Sequence, residues 1–168
     1  MNIKILKVGY LECNCYILEK DNNVLVIDPG DEYEKIKENI GNKKVSGILI
    51  THNHFDHIGC IDDILNDYET KLYTYDNLKE KEYSIDNFKF NVIYTPGHTP
   101  DSISFYFKED NIIFTGDFLF CGTIGRCDLE GGDYKVMLQS LEKIKQYNKD
   151  ITIYPGHGIK STLEREFE

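Results

Sequence analysis

The 168 residues of this chain suffice for one domain, 1–168, with a core that needs neither disulfides nor a structural metal. With 29 acidic residues against 19 basic, the formal charge is −10, which argues against a protein that binds nucleic acid through a broad basic face. No stretch approaches the roughly 20 apolar residues of a membrane span. The odd count of 5 cysteines, with no Cys-x-x-Cys, fits a reducing cytoplasm better than a disulfide framework.

Met1 to Lys7 carries charge without a sustained apolar stretch and makes a poor signal peptide. Leu11 to Leu18 and Val24 to Ile27 read as neighbouring strands joined by the turn-rich Lys20-Asp21-Asn22-Asn23. Cys13 and Cys15 alternate in the first of these as buried small side chains. Asp28-Pro29-Gly30 ends the second strand. Glu32 to Asn39 has helical composition, with Gly41 where a helix stop is expected. Gly47 to Ile50 is a short buried strand that runs into Thr51-His52. Ile58, Ile61, Ile64 and Leu65 then repeat at helical spacing.

Leu72 to Tyr75 is another strand, and Phe88, Phe90, Val92 and Tyr94 alternate until Pro96-Gly97. Ile103 to Phe107 and Ile112 to Phe114 are strands around a Glu109-Asp110-Asn111 turn. Val136, Leu138, Leu141, Ile144 and Tyr147 mark an amphipathic helix, and Ile151 to Tyr154 is the last strand. Phe118 to Asp133 holds Gly122, Gly125, Gly131 and Gly132 and reads as a long loop, a kind of segment that is often functional.

All 5 histidines sit where they can bind metal. His52, His54 and His57 share the hexapeptide His52-Asn53-His54-Phe55-Asp56-His57, and the others occur as Pro96-Gly97-His98 and Pro155-Gly156-His157. Asp117 follows Thr115-Gly116. Imidazole and carboxylate are ligands that zinc, iron and manganese accept. A lone Pro-Gly-His or Thr-Gly-Asp is usually only a turn. Here each candidate comes directly after an apolar strand, and the carboxyl ends of strands are where sites gather in α/β sheets. Buried titratable groups in such number are costly unless a metal compensates them.

A partition into two sites follows. An extended backbone puts His52 and His54 on one side, and His98 completes a three-nitrogen set. Asp56, His57 and His157 form the second set, and Asp117 can give one oxygen to each. Two metals roughly 3.5–4 Å apart can share a hydroxide.

The pattern Thr51-His52-x-His54-x-Asp56-His57, followed by His98, Asp117 and His157, resembles the metallo-β-lactamase superfamily. Asn14-Cys15-Tyr16 and Val26-Ile27-Asp28-Pro29-Gly30 look like that family's opening strands. The resemblance covers essentially the whole chain and implies an α/β fold, a four-layer αβ/βα sandwich with the metal site at the edge between its halves. Gly116-Asp117-Phe118-Leu119-Phe120, Gly125-Arg126-x-Asp128-Leu129, Gly131-Gly132-Asp133 and Tyr154-Pro155-Gly156-His157-Gly158 are similar to short bacterial glyoxalase II-like hydrolases. Glyoxalase II cleaves thioesters such as S-lactoylglutathione. Glyoxalase II proper continues into a helical domain that contacts glutathione, whereas only 11 residues follow His157 here. Asp117 stands where one subclass of zinc β-lactamases carries cysteine. Asn53 stands where flavodiiron proteins carry glutamate, and Cys60 where many relatives carry a second glycine.

The resulting expectation is a cytoplasmic hydrolase of a small, anionic thioester. It would hold two divalent ions, zinc foremost and iron or manganese as alternatives, and a bridging hydroxide would attack the carbonyl. Asp56 and Asp117 are the catalytic carboxylates, with Asp56 orienting the hydroxide or taking its proton. Asp28 is expected to hold a ligand histidine from behind, and Arg126 to bind the substrate's charge. A persulfide dioxygenase with one iron is the main rival. A nuclease or phosphodiesterase is weaker, as is a non-catalytic binding protein. Neither nucleic acid nor membrane is an expected partner; the sequence leaves the acyl group, the thiol carrier and the oligomeric state open.

Overall fold

The computed structural model describes residues 1–168. The first sheet opens with three antiparallel strands, β1 (Asn2–Val8), β2 (Cys13–Lys20) and β3 (Asn23–Ile27). Helix α1 (Tyr33–Ile40) then crosses to β4 (Lys44–Leu49), which lies parallel to β3. Two short helices, α2 (Phe55–Ile58) and α3 (Ile61–Asp67), lead to β5 (Leu72–Tyr73), parallel to β4. The order is β1-β2-β3-β4-β5.

The second sheet begins with β6 (Glu82–Ile85), β7 (Phe88–Tyr94), β8 (Ile103–Phe107) and β9 (Ile112–Gly116), all antiparallel neighbours. A small hairpin of β10 (Leu119–Phe120) and β11 (Thr123–Ile124) follows, then α4 (Tyr134–Ile144). Strand β12 (Thr152–Pro155) returns parallel to β9, and β13 (Ser161–Thr162) and α5 (Leu163–Glu166) complete the chain. The order is β13-β12-β9-β8-β7-β6.

Period-2 alternation sorts the strand side chains into three apolar layers. On β2 and β3, Cys13, Cys15, Ile17, Val24 and Val26 face α1 and α3. Their alternates Tyr16, Leu18, Leu25 and Ile27 face the second sheet, where Phe88, Phe90, Phe105, Phe107 and Phe114 meet them. Ile93, Ile113 and Ile153 point the other way, against Met137 and Ile144 of α4. Helices, sheet, sheet and helix make four layers, the αβ/βα sandwich. Strands covered on both faces read as near-continuous apolar runs, as β2 does. Helix α4 starts where the Asp133 carboxylate accepts from the N–H groups of Lys135 and Val136. No helix is long and apolar enough to cross a membrane.

The helix expected after the hexapeptide is in fact two. It begins inside the motif, at Phe55, and breaks at Gly59-Cys60. The cause is close packing on the turn after β3: the Cys60 N–H donates to Pro29 O at 2.9 Å, and a Cβ on Gly59 would lie 2.2 Å from Gly30 O. Helix α4 ends at Ile144, so Tyr147 lies beyond it but still packs on the outer core, whereas Leu138 is exposed. Phe118 to Asp133 is not wholly loop, since it holds the β10–β11 hairpin.

Candidate metal centre

The end of β4 supplies four of the candidate ligands. After Leu49 the chain passes through Ile50 and bends at Thr51 to reach His52. His54 keeps an extended backbone (φ −67°, ψ 143°) as it enters α2, whose single turn carries Asp56 and His57. The second sheet supplies the rest: His98 after β7, Asp117 at the end of β9 and His157 after β12. The seven side chains meet at one edge of the sandwich in two groups. His52, His54, His98 and Asp117 form one, and Asp56, His57, Asp117 and His157 the other, with the ligand atoms of each group within 4.8 Å of one another.

Asp117 belongs to both groups. Its Oδ1 lies 3.3 Å from His57 Nε2, and its Oδ2 lies 3.7 Å from His52 Nε2, 3.6 Å from His98 Nε2 and 3.5 Å from His157 Nε2. Asp56 Oδ2 sits 3.1 Å from His157 Nε2 and 3.5 Å from His57 Nε2.

Four of the five imidazoles give Nδ1 to the protein and keep Nε2 for the cluster. His57 Nδ1–H donates to Asp28 Oδ2 at 2.8 Å, His98 Nδ1–H to Arg126 O at 2.7 Å and His157 Nδ1–H to Leu11 O at 3.0 Å. Thr51 donates its hydroxyl to Asp28 Oδ2 at 2.7 Å and therefore accepts from His52 Nδ1–H at 3.0 Å. Such outer bonds fix the tautomer and aim the ligand atom. His54 is the exception, since its Nδ1 faces His98 Nε2 at 3.0 Å.

Asp28 thus lies behind His57 and also ties down Thr51, whose backbone N–H donates to Asp28 Oδ1 at 2.9 Å. Thr51, Cys13 (Sγ 3.5 Å from His57 Nδ1) and the carbonyls of Leu11 and Arg126 were not foreseen. The side chain of Arg126 pairs with a neighbour on its own loop. Its Nε and Nη2 both donate to the Asp128 carboxylate at 2.7 Å, in an exposed pair, and only its carbonyl reaches the ligand shell.

Whether these residues suit metal ions is visible in what they leave unpaired. His52 Nε2, His57 Nε2 and Asp117 Oδ1 are buried without a hydrogen-bond partner; the 3.3 Å approach of His57 to Asp117 is misaligned for one. Buried polar atoms in native proteins are almost always satisfied. Three orphans distributed over the two ligand groups fit cations bound by nitrogen and carboxylate. Gly156 makes room for them: a Cβ there would lie 2.2 Å from Asp117 Oδ1 and 2.8 Å from His57 Cε1.

The electrostatics agree. Burial lowers the basicity of His52 and His54, which are neutral at neutral pH. Burial works against charge on His57 too, but Asp28 and Asp117 outweigh it and hold its pKa well above the ordinary value. His157 is pushed up to about 9, because Asp117 and Asp56 overcome its burial. Burial raises the pKa of Asp117, but its histidine neighbours, His157 and His57 foremost, bring it well below the carboxylate range.

The family model of the metallo-β-lactamase superfamily matches residues 8–82 and 78–157. The chain belongs to the metallo-β-lactamase superfamily. Two curated relatives span nearly its whole length. The probable metallo-hydrolase YqgX of Bacillus subtilis is 32% identical, over 99% of this chain and 94% of that protein. The hydroxyacylglutathione hydrolase GloC of Haemophilus influenzae is 31% identical, over 99% and 95%. Among solved structures, the B3 metallo-β-lactamase BLEG-1 is 29% identical with a TM-score of 0.92, covering 99% of this chain and 96% of its own. TTHA1623 in a di-iron-bound form is 29% identical with a TM-score of 0.88, over 98% and 96%. Family and cluster together make this a metal-dependent hydrolase that holds divalent ions.

Proposed function

We propose that this superfamily member hydrolyses small thioesters at a two-metal centre. The observation that carries the reading is the shared carboxylate: Asp117 belongs to both ligand groups, so the seven side chains form one paired site. The glyoxalase II-like motifs and the relative named as a hydroxyacylglutathione hydrolase support a thioester as substrate. Two divalent ions held there, zinc first and iron or manganese as alternatives, supply Lewis-acid polarisation of a carbonyl and a water that is nucleophilic near neutral pH.

The protein's part is placement and proton handling. The Nδ1 bonds of His52, His57, His98 and His157 lock the imidazoles before any ligand arrives, so little reorganisation is needed. Asp56 is only partly buried and its pKa is held below the usual range, burial being outweighed by the His157 bond. It is a carboxylate at neutral pH, the form that can orient water or accept a proton. Asp28 stays behind His57 and keeps that ring's Nδ1–H in place. Arg126 enters through its carbonyl on His98. Its guanidinium, held by one exposed carboxylate, is available to an anionic substrate, because solvent screens an exposed pair of this kind and leaves it weak.

The test is a panel of acyl thioesters, with and without glutathione as the thiol, run beside a β-lactam, with metal content and oxygen uptake measured on the same sample. Thioester cleavage with two equivalents of metal and no oxygen uptake is expected. Turnover of the β-lactam alone, or oxygen consumption by a one-iron protein, would overturn the reading.

A further inference from the structure

The seam between the sheets contains a polar contact that the chemistry above does not use. Asn14 lies buried on β2, and its side-chain amide is 3.0 Å from Pro155 O and 2.9 Å from Gly158 O. Both neighbours are acceptors, so the amide nitrogen faces them. The backbone N–H of Asn14 donates to Gly156 O at 2.7 Å. Tyr16, on the same face of β2, donates its hydroxyl to Pro155 O. All of these donors come from the first sheet, and all converge on the stretch from Pro155 to Gly158 that carries His157.

Few other contacts hold that stretch, the His157 Nδ1–H bond to Leu11 O at 3.0 Å foremost among them. The pairing of β12 with β9 shifts register between Tyr154 and Pro155, and β13 pairs only with Thr152 and Ile153. One further backbone bond, Gly156 N–H to Gly116 O at 2.8 Å, continues the ladder. His157 is also less enclosed than His57, the other histidine of its group: its side chain is 28% exposed, against 0%. Packing alone does not fix it. Asn14 Oδ1, meanwhile, is buried without a partner. An apolar residue would fill the seam without that cost, so the amide is there for its two donations.

We propose that Asn14 and Tyr16 are positioning residues that hold His157 in its ligating pose, so that the first sheet sets the geometry of the second metal site. The inference rests on the two-metal reading above. Replacing Asn14 with aspartate keeps its shape, removes both donors and sets a carboxylate against two carbonyls. Tyr16→Phe removes only the hydroxyl and leaves the core filled.

Stepwise binding of Zn²⁺, and of Co²⁺ followed by its visible spectrum, is measured on the wild type, N14D, Y16F, H157A, and the doubles N14D/H157A and Y16F/H157A. The first equivalent is expected to bind unchanged. The second should weaken in N14D by roughly 10–100-fold, the range for loss of a group that orients a ligand, less in Y16F, and with an altered Co²⁺ spectrum. In the H157A background neither substitution should weaken it further, because each acts through His157. Wild-type affinity for both equivalents in N14D and Y16F, or an undiminished further loss in the H157A background, overturns the clamp. If N14D does not fold, Y16F and its double carry both comparisons. A wild type that takes up only one ion under the same conditions overturns the two-metal reading, and the clamp with it.

Discussion

Asp117 is where the two halves of the cluster become one. Each other candidate ligand belongs to a single group, whereas Asp117 contributes to both. Asp117→Ala should therefore hurt more than loss of any one histidine, lowering thioester turnover by more than about 100-fold, beyond what outer-sphere partners typically contribute. Elemental analysis of the purified variant should show less than two equivalents of metal. Retention of both ions with most of the activity would reduce Asp117 to a turn residue. Arg126 poses the opposite question, since its carbonyl is engaged with His98 while its guanidinium is held only by Asp128. Arg126→Ala keeps the carbonyl, so metal content should stay at the wild-type level. If the guanidinium reads substrate charge, kcat/KM falls chiefly for an anionic thioester, about tenfold, as for loss of one charge-assisted bond worth roughly 1.5 kcal/mol, and Arg126→Lys restores it only in part. Equal effects on anionic and neutral thioesters would show that only the backbone of this residue matters.

At the scale of elements, the site is a meeting of strand ends. β4, β7, β9 and β12 each stop, turn and present a ligand, and α2 adds Asp56 and His57. The clustering creates a charge problem that protons solve when metal is absent: His57 and His157 (about 9) are both held protonated at pH 7 by the carboxylates around them. Metal takes only neutral imidazole, so filling the site must expel those protons. Raised pKa values mean that affinity climbs with pH through about 9, where His157 loses its proton, and levels off only once His57 has lost its own as well. Calorimetric titration at pH 7 in buffers of different ionisation enthalpy should report about two protons released per filled site pair. No buffer dependence would mean that the imidazoles are already neutral.

The strand ends were legible in the sequence because side-chain type marks them: histidines and aspartates stand out after apolar runs. The Leu11 and Arg126 carbonyls that orient His157 and His98 were not, since every residue carries a carbonyl and only folding selects which one is used. Strand β1 also escaped notice. Lys4 and Lys7 interrupt it and Ile5 faces solvent, so an edge strand shows no clean alternation. The break between α2 and α3 escaped for a different reason, because it depends on how closely Gly59 approaches Gly30, a contact between segments distant in sequence.

Over the whole molecule, the cluster lies between two sheets that otherwise meet through an apolar layer. His52, His54, Asp56 and His57 belong to the first half, and His98, Asp117 and His157 to the second, so ions bound here tie the halves together. The native state also confines Asp28, Asp56 and Asp117 to one small region of a chain with a formal charge of −10, and cations relieve that repulsion. Ions that bind the folded but not the unfolded chain add RT ln(1 + [L]/Kd), about 2.7 kcal/mol per site at free metal 100-fold above Kd. Two such sites give roughly 5 kcal/mol, and a domain of this size shifts by roughly 2–4 °C per kcal/mol. Chelation should therefore lower Tm by roughly 10–20 °C, and added Zn²⁺ should restore it in a concentration-dependent way. Both can be followed by circular dichroism melts, with metal content checked on the same samples. The apolar layers should keep the metal-free chain folded at 25 °C, because the core clusters do not depend on the ligands. An unchanged Tm after complete metal removal would mean that the ions serve chemistry alone and that the apolar layer by itself holds the sheets together.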